Sequence, residues 1–346
     1  MTETKEEVKP RGRRRTLKTV IVESENLIDE EKEITIPENT KKKLTKGIIA
    51  VDNGGDNTKV LSQKMERPTY FKSKKRYGNK SHYLLDNTFE KYEDDEAMRS
   101  YIVEYEDVIY LTNLRTEQSD FMMTGNTKSK ASDYFIISTL IAVAKFGYDI
   151  NYLVTSVPLK YIHSSDVDKI KDMLIGEHII KIDKKQYEFE IRDVEVTAEA
   201  QSALLHLLPE GRTTLLEIGS RTVGYATNIL EFDEEDDIIV NHIPQKSDTI
   251  EQAGVEISNL RESDYIPFCS NIFSRMSSTS KITEDDNIIA FGGGILIDGI
   301  RNGLKKFFNN ITFIDDPLYA QVQGMLIIGE DEFSHLLEDD DEWVEN

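Results

Sequence analysis

The chain has 346 residues, 38% of them hydrophobic, enough for a large core and for two domains or one bilobed unit. Its 64 acidic against 42 basic side chains give a net charge of −22, which excludes direct binding of nucleic acid or anionic membranes by the body of the protein. Its single cysteine, Cys269, excludes an intramolecular disulfide framework, fits a reducing compartment, and reads as a small buried hydrophobe rather than a nucleophile.

Residues 1–46 differ from the rest. They hold 12 Lys/Arg and 10 Asp/Glu with no long apolar pattern, a disordered-type composition that contains a basic arm at residues 9–18. Without them the remaining chain stands near −24. The N-terminus lacks the apolar core of a signal peptide, and the longest apolar run, 135–144, is too short to span a bilayer. The expected location is the cytoplasm, with no membrane partner.

The central stretch is Gly47-Ile-Ile-Ala-Val-Asp52-Asn53-Gly54-Gly55-Asp56-Asn57-Thr58-Lys59-Val-Leu61. Gly47 to Val51 predicts a buried strand, Asn53 to Asn57 a chain reversal, and Thr58 to Leu61 a returning strand. Glycines allow close approach to a ligand, and consecutive turn N–H groups form an anion nest. Asp52 stands where a carboxylate can hold hydrated Mg²⁺, and Lys59 where an ammonium can reach a phosphate. Two readings are open at this point: a nucleotide-phosphate loop, or an ordinary hairpin with an Asn-Gly turn.

The basic cluster 71–80 predicts an exposed loop or edge, and Asp107–Leu111 a strand. Ala131–Phe146 predicts a buried helix stopped by Gly147. Asn151–Val157 is a strand, followed by a helix capped at Ser164 or Ser165 and running to Leu174. A hairpin turns at Asp183-Lys-Lys185, and a helix is expected from Ala198 to Leu208. The segment Thr213-Thr-Leu-Leu-Glu217-Ile-Gly219-Ser220-Arg221-Thr222-Val-Gly224-Tyr225 repeats the outline of the first hairpin: apolar strand, acid, glycine turn, returning strand. Residues 231–237 read as an acidic surface turn, 247–260 as a helix, and 262–280 as a helix that breaks down at 277–280. Asn287-Ile-Ile-Ala-Phe-Gly292-Gly293-Gly294 runs a strand into three glycines and a helix to about Phe308, an arrangement that sets a ligand against bare backbone. Ile311–Ile314 is a short strand, Asp316-Pro317 opens a helix to Met325, and the tail from Glu330, with nine acids and no Lys or Arg, reads as a frayed end. There is no Walker motif and no Gly-x-Gly-x-x-Gly fingerprint after a strand. The six histidines show no metal-ligand spacing.

Three pieces in this order, an Asp-Gly hairpin, an acid-Gly hairpin and a strand–Gly-Gly-Gly–helix, resemble the superfamily of actin, heat-shock chaperones and sugar kinases. With Asp316-Pro-Leu-Tyr-Ala-Gln-Val-Gln-Gly324-Met325, the chain over about 47–329 is most similar to the bacterial plasmid-segregation actins, the ParM family. The resemblance implies an α/β actin-like bilobed ATPase fold, two related domains flanking a nucleotide cleft. It implies an extension at 1–46, a first domain at 47–210 with a small insertion at about 70–125, a second at 211–308, a return helix at 309–329 and an acidic tail at 330–346. It implies ATP as cofactor, with GTP open, and Mg²⁺ ordered by Asp52 and Glu217. Asn53, Gly54, Gly55, Asp56, Asn57, Thr58 and Lys59 would form the first phosphate motif, and Glu217, Gly219, Ser220, Arg221 and Thr222 the second. Gly292, Gly293 and Gly294 would pack against the adenosine. Glu199 would position the attacking water, with Glu195 and Gln201 as rivals. The second hairpin departs from the family pattern, with Glu217 for the usual Asp, Ser220 for the usual second glycine, and the bulky Arg221 beside it.

The function so implied is a filament-forming ATPase whose subunits join head to tail, an open contact, and which reaches plasmid DNA through an adaptor protein. The alternatives are a small-molecule kinase, for which no catalytic base beside a substrate pocket is found, and a non-polymerising nucleotide switch.

Overall fold

The computed structural model describes residues 42–79, 100–113, 122–123, 129–232, 238–251, 253–255, 260–338 and 343–344. After β1 (Lys42–Lys43), strand β2 (Lys46–Asn53) is buried from Gly47 onward, and β3 (Asn57–Ser62) returns against it with Asp52 opposite Lys59. Strands β4 (Thr69–Lys72), β5 (Lys75–Asn79), β6 (Ile102–Tyr105), β7 (Val108–Thr112) and β8 (Met122–Met123) follow. Helix α1 (Asp133–Phe146) leads to β9 (Ile150–Val157), and α2 (Ser165–Leu174) to the hairpin β10 (Gly176–Ile182) and β11 (Lys185–Ala198). These strands form one sheet in the order β4-β3-β2-β9-β11-β10-β6-β7-β5-β8, with β2, β9 and β11 parallel.

The central strands are apolar on both faces because both faces are covered. Alternation sends Ile49, Val51 and Leu153 towards α1, and Ile48, Ala50, Tyr152 and Val154 towards the C-terminal helix α6 (Ala320–Leu337), which brings Val322, Met325 and Phe333. Helix α1 is buried continuously from Phe135 to Val143, as a helix apolar on all sides must be.

A short helix, α3 (Leu204–Leu207), precedes the second sheet. Its strands β12 (Gly211–Ile218), β13 (Val223–Phe232), β14 (Ile238–Ile250), β15 (Ile288–Phe291) and β16 (Ile311–Phe313) lie in the order β14-β13-β12-β15-β16. Helices α4 (Tyr265–Ser280) and α5 (Asp298–Leu304) cover one face through Ile272, Met276, Ile300 and Leu304. The other face, with Leu215 and Phe291, packs on Leu204 and on Ala320 at the start of α6. The order β14-β13-β12-β15-β16 repeats β4-β3-β2-β9-β11, including the antiparallel hairpin and the two parallel strands beyond it. The two glycine hairpins thus occupy equivalent places in two related sheets. A last strand, β17 (Trp343–Val344), pairs with β1.

Several local expectations are corrected. The cluster expected at 71–80 as an exposed loop or edge is not a loop over 71–79: residues 71–72 end the edge strand β4 and 75–79 form β5, with Phe71, Ser73 and Lys75 buried. The helix expected at 198–208 shrinks to four residues, because β11 stays in register with β9 up to Ala198 opposite Val157. The helix expected from Ser247 is strand, since Asp248, Thr249 and Ile250 pair with β13. Helix α4 does not break down at 277–280; it reaches Ser280 and closes on Lys281, whose φ is 56°. The helix expected to start at Asp316 begins at Ala320, and the tail expected to fray is helical to Leu337, with Phe333 buried. Helix α5 stops at Leu304, short of Phe308. The expected extension up to Lys41 with its basic arm, most of the 231–237 turn, parts of 70–125 and 247–260, and 339–342 with 345–346 of the tail lie outside the described residues. Cys269 is buried as expected, and burial pushes its thiol up to about 12. Among the described residues no helix is long and apolar enough to cross a membrane.

Candidate functional site

Strand β2 delivers Asp52 and Asn53 to its C-terminal end, where the chain reverses: Gly54 N donates to Asn57 O at 3.0 Å. The reversal is braced from below. Asn53 Nδ2 donates to Thr139 Oγ1 (2.7 Å), Thr58 Oγ1 to Asn53 Oδ1 (3.0 Å), and Ser73 Oγ to Gly54 O (2.9 Å). Asp56 is paired with Lys72 at 3.0 Å. Asp52 Oδ2 accepts from Lys59 Nζ at 2.7 Å and Oδ1 from Ser156 Oγ at 3.3 Å. Burial acts to raise the Asp52 pKa, but Lys59 and then Lys130 outweigh it and hold the carboxyl below its usual value. Burial likewise works against the Lys59 charge, and Asp52 overcomes it, leaving Lys59 above its usual value.

The second turn closes by Gly219 N donating to Thr222 O at 3.0 Å. Gly254 and Val255 hold it from behind: Gly254 N donates to Arg221 O (3.0 Å) and Val255 N to Gly219 O (3.1 Å). Glu217 accepts from Ala200 N at 3.2 Å. Burial first, then the charges of Glu199 and Asp52, push its carboxyl up to about 8. Glu199 follows directly on β11, where Ala200 turns the chain at φ 64°. Its carboxylate is clasped by Lys130, which also donates to Ser156 O at 3.1 Å.

The glycine run ends β15. Gly292 has φ 93°, and a Cβ there would lie 2.6 Å from Ile218 O; only glycine fits. Gly292 N donates to Pro317 O, which ties the run to the segment before α6.

These pieces surround one cavity of about 570 Å³, within the usual range for a small-molecule site. All the candidate residues from Asp52 to Lys59 line it except Thr58, which is buried beneath the turn. Glu199, Glu217, Gly219, Ser220, Arg221, Thr222, Gly293 and Gly294 line it as well, whereas Gly292 serves the packing below. The rivals lie elsewhere: Glu195 pairs with Lys171 at 3.3 Å, and neither Glu195 nor Gln201 lines the cavity. Sequence reasoning missed Lys130, Tyr134 and Ser138, which enter from the start of α1, and the apolar wall of Val255, Leu296 and Leu318. The one available signal was Ser129-Lys130 shortly ahead of a largely apolar helix.

Asp52, Glu199 and Glu217 share this cavity with Lys59 and Lys130. Among the described residues, no three His, Cys, Asp or Glu side chains are grouped to hold a metal by themselves. The donor set fits a hydrated hard cation that takes its remaining oxygens from water and phosphate, and the raised Glu217 carboxyl is a group that such a charge would relieve.

Residues 50–201 match the family model for the N-terminal domain of actin-like proteins. No curated protein matches the chain. Among solved structures, an apo ParM protein of pSK41 superposes with TM-score 0.61 at 15% identity, covering 85% of this chain and 99% of its own. A 15-stranded ParM filament from Clostridium botulinum gives 0.62 at 16%, covering 83% and 99%. An AlfA filament bound to AMPPNP gives 0.60 at 18%, covering 85% and 100%. The chain has the actin-like fold.

Proposed function

We propose that the chain is a nucleotide-dependent, filament-forming actin-like ATPase. One observation carries the reading: two glycine turns, equivalent in two related sheets, open onto one cavity lined by four carboxylates (Asp52, Asp56, Glu199 and Glu217) and three lysines (Lys59, Lys72 and Lys130). The similar AlfA filament holds AMPPNP, and both it and the botulinum ParM are filaments, which supports carrying nucleotide binding and self-assembly to this chain.

The turn N–H groups of 53–57 and 219–222 bind phosphate oxygens. The apolar wall of Val255, Leu296 and Leu318, with Gly293 and Gly294, receives the nucleoside of ATP or GTP. Asp52 and Glu217 would hold hydrated Mg²⁺, which when bound would supply charge for the phosphates. Lys130 fixes Glu199, and the Glu199 carboxylate orients the water and takes its proton. The two sheets serve as the lobes, 47–210 and 211–308, and α6 returns the chain from the second to the first. Closure around a triphosphate favours assembly, and hydrolysis releases it. The acidic body reaches DNA through an adaptor, in the cytoplasm.

Right-angle light scattering and phosphate release, followed on adding ATP-Mg²⁺, GTP-Mg²⁺ or ADP-Mg²⁺, test this. Scattering should rise with a triphosphate and later decay. In Glu199→Ala it should persist while phosphate release drops by about 10²-fold or more. Absence of scattering at every concentration removes the filament and leaves a kinase or a switch.

A further inference from the structure

The second turn carries arginine at the place nearest the first turn. The Arg221 side chain crosses the cavity: Nη2 donates to Gly55 O at 3.1 Å, and the guanidinium carbon stands 5.8 Å from the centre of the Tyr134 ring. The fit to Gly55 is specific. A Cβ on Gly55 would lie 2.5 to 2.7 Å from Arg221 Nε, Cδ and Cγ, so the bare turn is the surface on which the arginine rests. Behind it, a Cβ on Gly254 would lie 2.1 Å from Arg221 N, so that glycine lets the turn bring Arg221 this far forward.

The ring beneath Arg221 is shared with a second cation. Lys75 Nζ stands 3.8 Å from the centre of Tyr134 and donates to Ser73 O (2.8 Å) and to Ser138 Oγ. Burial, and after it the nearby Arg221, hold the Lys75 ammonium well below its usual value. The Arg221 guanidinium, at the point where both turns converge, makes this part of the cavity receptive to anionic charge. Arg221 spans from the second turn to the first through its bond to Gly55 O, so its guanidinium lies between the two turns assigned to the phosphates.

We propose that Arg221 reads the terminal phosphate: its guanidinium exchanges the Gly55 carbonyl for phosphate oxygens and makes the site select a nucleoside triphosphate over a diphosphate. The proposal rests on the nucleotide reading given above and names the residue that discriminates between the two nucleotides. A carbonyl is a neutral acceptor, whereas a phosphate oxygen is charged and accepts both arms of the guanidinium fork, so the exchange is favourable. It also moves the bond between the two turns onto the ligand. A diphosphate leaves Arg221 on Gly55, so the two ligands differ by this contact.

Calorimetric titration of the full chain with Mg²⁺-AMPPNP and with Mg²⁺-ADP tests it, in wild type, Arg221→Ala and Arg221→Lys. In Arg221→Ala the AMPPNP affinity should fall about tenfold to a hundredfold while ADP affinity changes by less than about threefold. Arg221→Lys should recover part of the loss, since an ammonium keeps the charge without the fork. Millimolar guanidinium chloride should restore AMPPNP binding to Arg221→Ala, a rescue that a purely structural role would not give. Equal losses for both ligands, or an unchanged ratio, overturn the proposal while leaving the nucleotide site standing. If wild type binds neither ligand, the nucleotide reading falls and this inference with it. Should Arg221→Ala not fold, as judged by circular dichroism, Arg221→Gln gives the same ratio with the side-chain stem retained.

Discussion

The two turns occupy equivalent places in two related sheets, yet their carboxyl groups are driven in opposite directions. Asp52 is ion-paired with Lys59 at 2.7 Å and held below its ordinary value. Among the described residues no lysine or arginine forms an ion pair with Glu217; it accepts from Ala200 N and is pushed up to about 8. The difference follows from register. Lys59 lies directly across the hairpin from Asp52, whereas the residue across from Glu217 is Gly224. One lobe therefore brings a neutralised acid to the cavity and the other an acid without its own cation, so the second turn gains most from an incoming positive charge.

The largest effect should come from breaking the neutralised side. Asp52→Asn leaves Lys59, 8% exposed, without its paired charge. Removing one partner of a buried pair costs about 3 to 5 kcal/mol. Urea unfolding should show this loss, and Glu217→Gln, which replaces a carboxyl that has no paired cation and keeps its proton in the folded chain near neutral pH, should show none. Equal losses would mean that the two acids sit in equivalent environments after all.

A smaller effect separates two glycines of the second turn. At Gly254 a Cβ meets the backbone, 2.1 Å from Arg221 N and 2.2 Å from Ser220 C; at Gly219 the nearest atom is Thr222 O at 3.2 Å. Gly254→Ala should cost about 1 to 3 kcal/mol, the range for forced overpacking, and Gly219→Ala less than about 1 kcal/mol, since neither φ is positive. Denaturation midpoints of the two variants decide it. A milder Gly254→Ala would show that the turn is not supported from behind.

How much of this was legible follows the range of the interactions. The first hairpin was readable because Asp52 and Lys59 pair within one local turn, and the second because Glu217 and Gly219 repeat that local grammar. Gly292 was readable as a special position, although its reason is the approach to Ile218 from another strand rather than a ligand. Lys75 was not, because a lysine in a basic run reads as solvated, and its burial depends on Ser138 and Tyr134 in α1. Gly254 was hidden inside a helix expected from cap residues at 247 and 248, where pairing with β13 overrode the local preference. The strand continuing to Ala198 was lost in the same way, since its partner β9 lies about forty residues earlier in the chain. Lys130 precedes α1 and meets Glu199 only through the tertiary fold.

The smallest and sharpest difference between the turns is in their response to pH. Unfolded, the Glu217 carboxyl has its ordinary value of 4.5; folded, it is pushed up to about 8. Between these limits the folded chain holds a proton that the unfolded chain has released. The stabilising contribution is therefore complete below pH 4.5, declines as pH rises, and is gone above about 8, with a slope of up to about 1.4 kcal/mol per pH unit. Asp52 acts in the opposite sense, but its contribution is lost only as pH falls below its unfolded value of 3.8. His178, His206 and His242, all lowered, affect stability below 6.5. Lys75, lowered by burial and Arg221, adds a rise with pH that wild type and a Glu217 variant share. The clean measurement is the difference in urea stability between wild type and Glu217→Gln at pH 7.0, 7.5 and 8.0, in nucleotide-free buffer with EDTA. Wild type should lose stability relative to the variant across that range, and a parallel pair of curves would mean that Glu217 is already ionised in the folded protein and that the two turns carry acids of the same kind.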